Sequence, residues 1–159
     1  MTVTITIDYY PTNDGIDHIN VYSQGETTLG MLLSNFARTP FTCEDGRFES
    51  VEGYWYWLAV VDKQEREVLR TLYGHEAKKV GKFLLTDTFG PGVPTFKLKI
   101  CKAIRAKLEA NGIDKMLAAS DLPLVHYYVY GGKKVDAGYS WIMVFLERLR
   151  AKYKDQLDE

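Results

Sequence analysis

The stretch "SVEGYWYWL", residues 50–58, sets Glu52 just ahead of Tyr54, Trp55, Tyr56 and Trp57. A carboxylate can stabilise a developing cation or move a proton, and flat aromatic rings form a wall for a planar polar ligand. On a helix capped by Ser50, Trp55 and Tyr56 follow Glu52 at the i+3 and i+4 positions and share its face. Other chemistry-bearing groups lie elsewhere. "LLSNFARTPFTCEDGRF" packs Ser34, Asn35 and Phe36 into the approach to that helix. "GHEAKKVGK" gathers Lys78, Lys79 and Lys82 on a short basic helix, and "HYYVYGGKKVDAGYSW" carries His126 and, just before a further helix, Asp136. Each has a plainer alternative. Glu52 can serve as a first-turn acid that complements the helix dipole, and Asp136 as a cap or turn residue. Asn35 can hold its own loop, the lysines can form a solvated face, His126 can be structural, and the aromatic residues can be core.

Other familiar motifs fail on spacing. Six residues separate Gly74 from Gly81 where a phosphate loop has four, and Phe83 stands where that loop needs Ser or Thr. "GPGVPT" lacks the third glycine of a dinucleotide fingerprint. His18, His75 and His126 are scattered with no zinc spacing, so no metal site and no cofactor is expected. There is no G-x-S-x-G elbow. The formal net charge of −1 over 159 residues argues against affinity for nucleic acid through bulk charge, though not against a nucleotide-like small substrate. Cys43 and Cys101 form no C-x-x-C pair and read as free thiols of a reducing compartment. No apolar run approaches 18 residues, and the start of the chain alternates like a strand rather than a signal peptide. The cytoplasm is the expected location, with no membrane partner, and nothing fixes the oligomeric state.

The elements that must position these residues follow from periodicity. Thr2–Asp8 alternates as a half-buried strand, and "HINVY" is a second strand that would close an N-terminal hairpin. Residues 23–48 show no steady period beyond a helical turn at Leu29–Leu33 and read mostly as loop. Ser50 opens a helix to about Asp62. "QEREVLRTLYG" predicts a helix closed by Gly74, "HEAKKVGKFL" another, and "TDTFGPGVPTF" a loop. "FKLKICKAIRAKLEANG" is a helix with Leu98, Cys101, Ile104 and Leu108 as its stripe and Gly112 as its stop. "IDKMLAAS" is a shorter helix, "LVHYYVYGG" a strand, and "KKVDAG" a turn or short strand. "SWIMVFLERLRAKYKDQL" closes the chain, striped by Trp141, Phe145 and Leu149, with a frayed tail over 154–159. The expected fold is α+β and helix-rich: one domain over 1–159, with a short N-terminal β-hairpin and a small sheet packed on about six helices.

The order of these pieces resembles the NADAR family, which includes bacterial N-glycosidases of riboflavin-pathway intermediates and enzymes that remove ADP-ribose from guanine. "SNFARTPFTCEDGRFESVEGYWY" follows the family's first block in nearly the same register. "AKKVGK", "ICKAIRAKL", "MLAAS", "LVH" and, loosely, "DAGYSW" follow the later ones. The resemblance is strongest over residues 30–150. It implies cleavage of a ribosyl C1′–nitrogen bond in an ADP-ribosylated guanine or nucleotide, or in a related phosphoribosyl-amino compound. The partner is then a small nucleotide-like substrate or ADP-ribosylated nucleic acid. Glu52 and Asp136 fall on the family's carboxylates, and a lysine, Lys78 or else Lys79, would instead trap an opened sugar as a Schiff base. Ser34, Asn35, Phe36, Trp55, Tyr56, Lys79 and His126 are implied as substrate contacts. The sequence departs from the family around "YWYWLA", at His126 where many relatives have Glu, and at "GYSW". The alternative reading is an inactive module that binds ADP-ribose or NAD.

Overall fold

In the computed structural model, which describes residues 7–85 and 94–157, a short 3-10 turn at Pro11–Asn13 leads into β1 (Ile19–Asn20) and α1 (Thr28–Leu33). The hairpin β2 (Phe41–Cys43) and β3 (Gly46–Phe48) comes next, then α2 (Val51–Ala59) and a 3-10 segment, Glu65–Thr71. α3 (Gly74–Leu84), α4 (Pro94–Ala110) and α5 (Ile113–Ala118) precede β4 (Leu124–Val125), β5 (Tyr127–Tyr130) and β6 (Lys133–Asp136), and α6 (Ser140–Leu157) ends the chain. This is the helix-rich α+β class, with three two-stranded sheets among the described residues. No described helix is long and apolar enough to cross a membrane.

α2 is the centre of the molecule, which accounts for its excess of aromatic side chains. Val51, Gly53, Tyr54, Trp55, Tyr56 and Trp57 are all buried, so the helix is covered nearly all round rather than along one stripe. Tyr54 and Trp57 pack with Phe48 of the hairpin, and each sends its polar end to a carboxylate. The Tyr54 hydroxyl donates to Asp45 at 2.6 Å and the Trp57 Nε1–H to Glu67 at 2.9 Å. Trp55 lies on the opposite side, edge-on to Phe96 of α4 and stacked with Trp141 of α6. Ser50 caps α2: its hydroxyl accepts from Gly53 N–H at 3.0 Å and donates to the Leu72 carbonyl at 2.8 Å. Ser50 is fully buried, so Ser50→Ala removes a cap and leaves the Leu72 carbonyl without it. The expected loss is about 1–2 kcal/mol in urea unfolding.

α3 lies close against α2 because Gly81 has no side chain. A Cβ there would fall 2.2 Å from Cγ of Tyr56. β1 pairs in parallel with β4, Ile19 opposite Leu124 and Asn20 opposite Val125. The Asn20 side chain continues the contact, bonding both the carbonyl and the N–H of Tyr127 at 3.0 Å.

Several expectations shift in the structure. The second limb of the N-terminal hairpin, Ile19–Asn20, takes β4 as its described partner. The other limb lies outside the described residues except for Ile7 and Asp8, which are irregular. The supposed loop 23–48 contains the β2–β3 hairpin, turned by Glu44 and Asp45 with Gly46 at φ +107°. "QEREVLRT" winds as a 3-10 helix, and Gly74, at φ +61°, begins α3 instead of closing what precedes it. Most of "TDTFGPGVPTF" lies outside the described residues. On α4 the buried face is Phe96, Ile100, Ala103, Ile104, Lys107 and Leu108, while Leu98 is 56% exposed. The stripe of α6 is likewise turned by one residue, to Ile142, Leu146, Leu149 and Tyr153. Its end is ordered helix as far as Leu157, held by Lys154 Nζ donating to the Ala118 carbonyl and to Asp121.

Candidate active site

A cavity of about 220 Å³ opens where α2, α3, the loop after α1 and the β1–β4 junction meet. Glu52, Trp55 and Tyr56 project into it from α2, as their helical spacing requires. Ser34, Asn35 and Phe36 supply a second wall, His126 a third, and Lys78 lines the cavity from α3. Eight of the ten residues singled out in the sequence therefore share one cavity.

The Glu52 carboxyl is unengaged: it makes no hydrogen bond or close ion pair with any described residue. Burial pushes its pKa up to about 7, with the ammonium groups of Lys78 and Lys82 pulling the other way. Tyr56, one turn on, is raised to about 12 by burial and by the nearby Glu52 charge. Tyr128 is raised by burial, by Tyr139 and by Glu52, so these side chains face one another across the same space. The His126 Nδ1–H donates to the Val21 carbonyl at 2.6 Å, leaving Nε2 as the acceptor of a neutral ring. Burial holds His126 below its usual value, with the Val21 bond opposing. The Asn35 side chain makes no hydrogen bond within the described residues, whereas the Ser34 hydroxyl accepts from Phe36 N–H at 3.2 Å.

Two expected residues lie elsewhere. Asp136 sits at the end of β6, exposed and paired with Tyr127. Tyr128, paired with Val135, is the residue of this hairpin that lines the cavity. Side chains alternate along a strand, so Asp136 turns to the opposite face. Lys79 is exposed and lines nothing, because helical spacing pairs Lys78 with Lys82, which does line the cavity. Tyr22, Tyr128 and Tyr139 line the cavity and were missed. The signal for Tyr128 was its alternation with His126 in "HYYVY"; Tyr22 and Tyr139 lie in segments whose pairing is not local. Among the described residues no group of three or more His, Cys, Asp or Glu is arranged to hold a metal ion. Cys43 and Cys101 are free and partly buried.

The helix spacing has a measurable consequence. Replacing Lys78 and Lys82 together by Ala removes the charges that lower the Glu52 pKa, so its midpoint should rise above about 7 in a carboxyl NMR titration. Lys79→Ala should leave it in place.

No family model matches the sequence, and no curated protein matches it. Among solved structures the chain is similar to the NMR structure of the E. coli protein YbiA, with a TM-score of 0.66 and 21% identity over 92% of this chain and 94% of that one. YbiA is a member of the NADAR family, and the fold described here is accordingly NADAR-like, in keeping with the resemblance drawn from "SNFARTPF" onward.

Proposed function

Proceeding from this NADAR-like fold, we propose that the protein is an N-glycosidase that cleaves the bond between a ribosyl C1′ and a nitrogen. The proposed substrate is an ADP-ribosylated guanine or nucleotide, free or in nucleic acid, or a related phosphoribosyl-amino compound. The observation that carries this reading is a single unengaged carboxyl in an aromatic-walled cavity with two lysines beside it.

The chemistry assigns each group a task. As the C1′–N bond breaks, its electron pair leaves with the nitrogen and positive charge develops over C1′ and the ring oxygen. Ionised Glu52 stabilises that charge and takes a proton from the water that adds to C1′, while the departing nitrogen is protonated from solvent at the open mouth. Trp55, Tyr56 and Tyr128 form the walls for the base, and Lys78 and Lys82 receive phosphate oxygens. Asn35 has a free amide for a sugar hydroxyl, and His126 Nε2 accepts from the sugar or the base.

The test is release of free base from ADP-ribosylated guanine nucleotides, or of free amine from phosphoribosylamino-pyrimidines. Wild-type protein should turn over at least one of them. Asp136→Asn should retain that turnover, and Glu52→Gln should lose it. Lys78 also lines the cavity, so borohydride reduction during turnover separates the carboxylate route from a Schiff base: no mass adduct on Lys78 is expected. Thermal stabilisation by ADP-ribose without release of base from any of these compounds would replace this reading with that of a nucleotide-binding module.

A further inference from the structure

Three consecutive carbonyls in the loop after α1 accept from three separate elements, two of which, α2 and α3, carry residues of the site. Ser34 O accepts from Nζ of Lys107 on α4 at 2.8 Å and, within its own turn, from the Ala37 N–H at 3.1 Å. Asn35 O accepts from the backbone N–H of Glu52 in the first turn of α2 at 3.0 Å. Phe36 O accepts from the N–H of Gly74, the first residue of α3, at 2.8 Å. The same three residues line the cavity that Glu52 and Lys78 enter. Two of the bonds are backbone to backbone and independent of side-chain identity. The third depends on one side chain.

That side chain stands in an improbable place for a cation. Lys107 is 1% exposed, on the face of α4 otherwise made of Phe96, Ile100, Ala103, Ile104 and Leu108. Burial alone would favour an apolar residue of similar length here, since an ammonium loses its hydration and regains one carbonyl. Desolvation pulls its pKa down to about 7. Ser34, its partner, is 73 positions away in sequence and begins the wall of the cavity.

We propose that Lys107 is a positioning residue for the Glu52 site: by fixing the Ser34 carbonyl it sets the run Ser34–Phe36, and through that run the relative placement of the α2 carboxyl and the α3 lysines. Lys107 does not line the cavity and takes no part in bond breaking. The proposal rests on the glycosidase reading for its meaning, but its test does not need turnover.

Lys107→Met keeps the length of the side chain and deletes the donor. In the folded variant, the carboxyl NMR midpoint of Glu52 should move by about half a unit or more, because the cavity wall that desolvates it is released. The amide resonances of Glu52 and Gly74 should shift, and those of the Tyr127–Lys133 hairpin should not. A Glu52 midpoint within about 0.2 units of wild type overturns the proposal. Should the variant not fold, hydrogen exchange of the wild-type protein decides. One common opening rate for the Glu52 and Gly74 amides supports a single clamped run, and rates differing by more than about tenfold overturn it. A midpoint that moves in a protein that releases no base from any substrate leaves the role of Lys107 standing and removes the glycosidase reading.

Discussion

Glu52→Gln should lower turnover by about a hundredfold or more and, above neutral pH, raise the melting temperature. Both effects arise from one environment. Glutamine keeps the shape of the side chain but can neither balance a cationic ribosyl centre nor accept the proton of water. The wild-type rate should itself rise with pH through about 7, as Glu52 ionises. The stability effect has the opposite sense. The folded pKa lies above that of the unfolded chain, so the unfolded chain gives up the proton first. The stability contributed by neutral Glu52 is therefore fully present below about 4.5 and is lost as pH rises through about 7. The corresponding penalty is at most on the order of 3 kcal/mol. Glutamine carries no such penalty, so the two melting curves should meet near pH 4 and separate above pH 7, with the variant the more stable. Coincident curves at all pH values would mean that the carboxyl is well solvated.

Gly81→Ala is expected to damage both the fold and the site. The added methyl would meet the root of the Tyr56 ring, with Cγ, Cδ2 and Cβ at 2.2, 2.5 and 2.6 Å. These atoms lie next to the α2 backbone and cannot swing aside as the end of a long side chain can. Either Tyr56 leaves its rotamer or α3 moves away from α2, at a cost of about 1–3 kcal/mol or more. A shift of α3 carries Lys78 and Lys82 away from Glu52. Denaturant unfolding should show a lower midpoint at an unchanged slope, and the Glu52 titration should move upward as the lysine charges recede. Helix propensity alone favours alanine over glycine by nearly 1 kcal/mol, so destabilisation would show that contact outweighs propensity here.

What could be read directly from the sequence was whatever depends on neighbours along the chain. Ser50 capping α2, and Glu52, Trp55 and Tyr56 sharing a helical face, follow from spacing alone. Ser34, Asn35 and Phe36, named from the order of pieces along the chain, lie in the lining of the same cavity. What escaped depends on partners far away. The apolar spacing of α4 predicts a stripe through Leu98, whereas the buried face includes Lys107, a cation whose partner, the Ser34 carbonyl, lies 73 positions away. Asp136 is named because it falls on a carboxylate of the family the sequence resembles, but the register of β5 against β6 decides its face, and no local pattern fixes that register. Lys79 is named from the resemblance, but helical spacing puts Lys82 rather than Lys79 beside Lys78 at the cavity.

The parallel contact between β1 and β4 bears on when the site comes into being. Val21 and Tyr22 leave the ribosome early, while the side chains that complete their side of the cavity, His126 and Tyr128, emerge more than a hundred positions later, as the 105-residue span of the Val21–His126 bond shows. A nascent chain that has not reached Leu124 already carries Glu52, its aromatic neighbours and both cavity lysines, but lacks the strand and the histidine that enclose them. Contacts of such separation form late in folding. The pocket is therefore complete only once the segment from Leu124 to Tyr128 has been made, and fragments released before that point hold most of the reactive residues without the enclosure that makes them a site.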